Sequence, residues 1–186
     1  MRWDALFNDL ESQLHSATTA QQESEIRDRT RSEQARLTLV QRLVGQVGRP
    51  LGLTTHGGRT ITGNLTNVGS EWLAVVVDDR SVIVPLSSLL VLRGPSRNVG
   101  QPLAGVAARL GLGSVLRVLS RDRANVSLWL AMAPSPHAGF IERVGADFFE
   151  LGLVAPGDSR QPSSKRDVLT VPFDSIDSID SARFAD

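Results

Sequence analysis

One stretch of this chain is written twice. Residues 63–73 read Gly-Asn-Leu-Thr-Asn-Val-Gly-Ser-Glu-Trp-Leu, and residues 139–149 read Gly-Phe-Ile-Glu-Arg-Val-Gly-Ala-Asp-Phe-Phe. Gly63 aligns with Gly139, Leu65 with Ile141, Val68-Gly69 with Val144-Gly145, and Glu71-Trp72 with Asp147-Phe148. A second block follows each copy: Val84-Pro85-Leu86-Ser87-Ser88-Leu89, then Val171-Pro172-Phe173-Asp174-Ser175-Ile176. The spacer is longer in the second copy. Its extra residues fall in 155–166, a stretch rich in Pro, Gly and Ser, where lengthening a loop costs little. Two glycines, an acid–aromatic pair and Val-Pro recurring in order predict one supersecondary unit used twice.

The flanking patterns say what that unit is made of. Short apolar runs bounded by turn residues predict strands at 51–55, 60–68, 72–77, 81–84 and 89–92, and again at 126–132, 138–144, 148–153, 168–171 and 176–179. His56-Gly57-Gly58-Arg59 and Asp78-Asp79-Arg80 are hairpin turns, the Gly-Gly pair supplying positive φ. Pro85 and Pro172 mark strand breaks, each followed by a helical turn. Ser114 is the expected N-cap of a short helix over 115–120.

Residues 2–47 read as one helix, with a break near Ser16-Ala17-Thr18-Thr19 as the alternative. Trp3, Leu6, Phe7, Leu10 and Leu14 form a stripe of helical period, and Leu37, Val40, Leu43, Val44 and Val47 form another. Between them lies a polar stretch laced with Glu–Arg pairs, ended by Gly48-Arg49-Pro50. The resulting segmentation is an N-terminal helix (1–47), a first strand unit (48–93), a linker (94–113) and a second strand unit (114–181).

This unit resembles the Sm-like fold, in which a helix precedes five strongly bent antiparallel strands closed into a small barrel. Gly63-Asn64-Leu65 and Gly139-Phe140-Ile141 match that family's Gly-x-apolar signature, and the short helical turns fall at 86–88 and 173–175. The resemblance implies an α+β, mostly β architecture: a long N-terminal helix and two tandem five-stranded barrels. It does not extend to RNA recognition. The positions that carry Asp and Asn in the family's nucleotide loop are Gly69 and Leu73, then Gly145 and Phe149. Its second loop is replaced by Val84-Pro85 and Val171-Pro172.

Composition narrows the function. Formal net charge is zero, so the basic footprint of most nucleic-acid binders is missing. The chain has no cysteine, hence neither disulfides nor thiolate metal sites. His15, His56 and His137 stand apart without a ligand spacing, and no metal or other cofactor is expected. No nucleophile–base set or paired carboxylates can be named, so no catalytic residue is expected. The N-terminus is too acidic and too short in apolar residues for a secretory signal, and no run approaches the roughly 18 apolar residues of a membrane span. Trp72 and Trp129 alternate with apolar neighbours and are expected in the core.

These readings predict a non-enzymatic, cytoplasmic interaction or scaffolding protein. It self-associates, or docks on another protein, through its N-terminal helix. The stripe Trp3, Leu6, Phe7, Leu10 and Leu14 is the candidate contact, because a straight helix holds it about 30 Å from the strands. Its acidic polar face argues against a membrane surface. The alternative is RNA or DNA binding by an arginine-lined face of Arg109, Arg117, Arg121 and Arg123.

Overall fold

The computed structural model describes residues 21–22, 24–154 and 167–181. The chain divides into two units, with the boundary after Thr38. The first contains a helix, α1, over 24–35, with residues 21 and 22 also helical and every described side chain exposed. Arg36 N–H and Leu37 N–H bond to the carbonyls of Glu33 and Gln34, three residues back, tightening the last turn before the helix stops.

The second unit begins with α2 (Leu39–Val44). A single helix running to residue 47 is therefore corrected: the chain leaves helical geometry at 36–38 and re-enters it where Leu43 is buried in the strand core. Neither proline nor glycine stands at this break. Gln46, 2% exposed, anchors the following connection. Its amide donates to the carbonyls of Ser96 (3.1 Å) and Asn98 (3.0 Å) and accepts from Ser96 N–H and Oγ, both at 3.0 Å.

Among the described residues ten strands follow: β1 (Pro50–Thr55), β2 (Thr60–Val68), β3 (Trp72–Val77), β4 (Arg80–Pro85), β5 (Leu89–Arg93), β6 (Asn125–Leu130), β7 (His137–Val144), β8 (Phe148–Leu153), β9 (Val168–Pro172) and β10 (Ile176–Ser181). A helix, α3 (Leu112–Arg121), lies between β5 and β6. Single helical turns at Leu86–Ser88 and Phe173–Ser175 precede β5 and β10. The protein is thus mostly β with short helices.

All ten strands form one antiparallel sheet in the order β5-β1-β2-β3-β4-β10-β6-β7-β8-β9. This overturns the expectation of two closed Sm-like barrels. Closure of the first would pair β4 with β5; instead β4 pairs with β10, which also pairs with β6. The result is one open, continuous sheet whose outer strands are β5 and β9. Within it, each half keeps the same internal order, its fifth strand beside its first.

The sheet carries two apolar clusters. Leu43, Leu53, Leu65, Leu73 and Val75 centre the first; Leu116, Leu128, Phe149, Leu151 and Ile179 centre the second. Both are helped by bends in their longest hairpins. The β2–β3 register shifts between Leu65 and Asn67, and the β7–β8 register between Ile141 and Arg143. Just before each bend, a Cβ on Gly63 would strike the carbonyl of Val76, and one on Gly139 the carbonyl of Gly152. Glycine is needed at both positions for backbone approach.

Candidate interaction site at the strand junction and sheet edges

The junction between halves is short in backbone pairing and rich in side-chain bonds. β10 faces β4 with Ile179 opposite Ile83 and Asp180 opposite Val82, and Ser81 N–H reaches Ser181 Oγ at 3.0 Å. What holds it is the β1–β2 turn. Asp177 is 1% exposed, so its carboxylate must be satisfied by the protein. It accepts from Thr55 Oγ1 (2.8 Å), Gly57 N–H (2.7 Å) and Ser88 Oγ (3.1 Å). Gly57 permits this approach, since a Cβ there would collide with the carboxylate.

A second clamp lies beside it. Both oxygens of Asp180 accept from Arg59, each at 2.9 Å, and Oδ2 also takes the indole N–H of Trp129 at 3.1 Å. Arg59 bonds Ser178 Oγ and stacks 4.2 Å from the Trp129 ring centroid. A planar guanidinium suits this double role, forked toward the carboxylate and flat against the ring. The hairpin of one half is thereby fastened to the last strand of the other. None of these polar groups was singled out from sequence as a site. The available signal was Ile-Asp-Ser-Ile-Asp-Ser, a strand that places two acids where its neighbours are apolar.

A third contact joins the halves. Glu71 Oε2 accepts Leu112 N–H at 2.9 Å, and Trp72 Nε1 donates to Leu110 O at 2.8 Å. The start of α3 is therefore set by a side chain from the first half, with Gly111 as N-cap rather than the expected Ser114. Trp72 and Trp129 are half-buried, each with its indole N–H engaged.

The arginines named from sequence separate into two groups. Arg109 and Arg117 line one cleft of about 300 Å³, which also holds Glu71, Asp147 and Asp174. Arg117 donates to Gly145 O at 3.2 Å. Arg121 pairs with Asp122 at 3.0 Å, and Arg123 follows the helix in a left-handed conformation, φ 49°. Carboxylates interleave with the cations, so the cleft is of mixed charge. The stripe Trp3, Leu6, Phe7, Leu10 and Leu14 lies outside the described residues, as does the loop at 155–166. Among the described residues, no group of three or more His, Asp or Glu is placed to hold a metal ion, and no helix is long and apolar enough to cross a membrane.

The sheet ends complete the picture. Among the described residues, β5 is bonded on one side only, to β1, and β9 only to β8. Leu90 is 54% and Val91 41% exposed on β5, and Val168 is 46% exposed on β9. Unpaired edges of this kind are templates for another strand. Compared with protein-family models, curated proteins and solved structures, the chain matches none.

Proposed function

We propose that the chain is a non-enzymatic interaction protein that associates through strand pairing at the open ends of its sheet. The N-terminal segment carrying Trp3, Leu6, Phe7, Leu10 and Leu14 supplies a second contact. The supporting observation is the pair of outer strands, β5 and β9, one-sided among the described residues, the first of which bears apolar side chains in water. Proteins that avoid edge pairing blunt such strands with charge or bulges; β5 is bulged at Leu90 and ends in Arg93, while Leu89-Leu90-Val91-Leu92 carries no charge. The cytoplasm is the proposed compartment, in keeping with a cysteine-free chain.

Light scattering of the full chain across a concentration series tests this reading, alongside a version lacking residues 1–34. The expected result is a mass above the monomer for the full chain and a weaker association on truncation. A monomer in both, with no partner protein, defeats it.

Binding of RNA or DNA is the second reading, favoured only by Arg109 and Arg117 sharing one cleft. It requires binding to mixed oligonucleotides that weakens steeply with salt. The three carboxylates in the same cleft and the zero net charge weigh against it.

A further inference from the structure

The internal junction is a pattern for an external one. It joins β4, the fourth strand of one half, to β10, the fifth strand of the other. The two free edges are the same two kinds of strand: β9 is a fourth strand and β5 a fifth.

Registers make the correspondence residue-specific. β10 lies on β6 with Ile176 opposite Leu130, Ser178 opposite Trp129 and Ile179 opposite Leu128, with a shift between Ile176 and Ser178. β5 lies on β1 with Leu89 opposite Thr55, Val91 opposite Thr54 and Leu92 opposite Leu53, with a shift between Thr54 and Thr55. Leu90 therefore holds the place of Asp177. The turns agree. His56 N–H bonds Ser88 O and Gly58 N–H bonds Thr55 O; likewise Ala131 N–H bonds Ser175 O and Ala133 N–H bonds Leu130 O. Leu130 and Met132 thus hold the places of Thr55 and Gly57.

At the internal junction, these positions bring two donors onto a buried carboxylate. At the free ends three of these positions are apolar, Leu130 and Met132 on one end and Leu90 on the other, while Ser175, in the place of Ser88, stays polar. Met132 is 97% exposed and Leu90 54% exposed. Two apolar surfaces that correspond to the two faces of an existing contact fit each other.

Building on the edge-pairing reading above, we propose that a second copy of this chain is the occupant. β9 of one copy pairs antiparallel with β5 of the next, and Met132 and Leu130 close over Leu90. Equivalent registers of β8–β9 and β3–β4 place Thr170 opposite Leu92 and Leu169 opposite Arg93. The contact uses two different surfaces, so it repeats until a ring closes or a filament grows. The exchange of polar for apolar partners also keeps the junctions distinct. β5 of another copy is disfavoured in place of β10, because Leu90 in the Asp177 position would strand the donors of Gly57 and Ser88 and leave Thr55 Oγ1 only the Arg59 carbonyl.

The chain has no cysteine, which makes a clean test possible. Leu90→Cys and Met132→Cys are placed on two differently tagged full-length chains, mixed and mildly oxidised. A Cβ on Gly57 would touch the Asp177 carboxylate, so the corresponding cysteines fall within disulfide reach. The expected product is a disulfide dimer carrying both tags. Leu90→Asp should weaken self-association by about ten-fold or more with an unchanged melting curve. An associated wild type that gives no mixed-tag disulfide, or is untouched by Leu90→Asp, overturns this contact and leaves self-association standing. A wild type that stays monomeric at all concentrations overturns this contact, and if no partner protein binds either, the edge-pairing reading falls with it.

Discussion

Thr55 and Asp177 are 122 residues apart in the chain, and the hydroxyl of one donates to the carboxylate of the other at 2.8 Å in a buried setting. That bond, with those from Gly57 and Ser88, fastens the first hairpin to the last strand. Removing the acceptor should therefore be costly. Asp177→Ala leaves Gly57 N–H and Ser88 Oγ without their acceptor and Thr55 Oγ1 with only the Arg59 carbonyl at 3.5 Å, and is expected to destabilise the protein by roughly 2–4 kcal/mol in urea unfolding. Asp177→Asn retains one acceptor oxygen and should lose less.

The neighbouring clamp depends on shape as much as charge. Arg59 binds both oxygens of Asp180 and lies flat on Trp129. Lysine offers neither the fork nor the plane, so Arg59→Lys should cost about 1–2 kcal/mol despite conserving charge. A double-mutant cycle of Arg59→Ala with Asp180→Ala should show coupling above about 1 kcal/mol. Additive effects would mean the two side chains act independently.

Glu71 satisfies one of the free N–H groups at the start of α3, through Leu112. Glu71→Ala should cost about 0.5–1 kcal/mol, the size of a lost N-terminal cap. Amide exchange should quicken first at residues 112–114, with β2 and β3 little affected.

Gly63→Ala and Gly139→Ala test the two bends directly. Each new methyl meets a neighbouring strand's carbonyl rather than a movable side chain. Both are expected to lose about 1–3 kcal/mol, read as lower urea midpoints, and by similar amounts. A large difference between them would show that the two bends are not equivalent.

Most strand positions were legible because they follow from local chemistry. Alternation over Thr60–Val68 and Trp72–Val77, turn residues at 56–59 and 78–79, and the prolines at 85 and 172 act within a few residues of themselves. Closure was not legible. Whether β4 meets β5 or β10 depends on backbone groups that every residue carries, and on which hairpin grips which strand. The sequence showed Asp177 as an acid in a short strand. Only the fold brings Thr55, Gly57 and Ser88 around it. The start of α3 was missed for a related reason: its first N–H is bonded by a carboxylate 41 residues earlier. The break at 36–38 carries no breaker residue, neither proline nor glycine, by which the sequence could have marked it.

The position of β10 has a consequence for how the molecule is made. It is the last of the ten strands to leave the ribosome, yet it occupies an inner place in the sheet, between β4 and β6. Until Ile176–Ser181 emerges, the ribbons β5-β1-β2-β3-β4 and β6-β7-β8-β9 share no strand pairing, and only the bonds of Glu71 and Trp72 to the start of α3 can tie them. Their facing borders wait bare through that interval. The final strand is the seam that turns two fragments of fabric into one cloth.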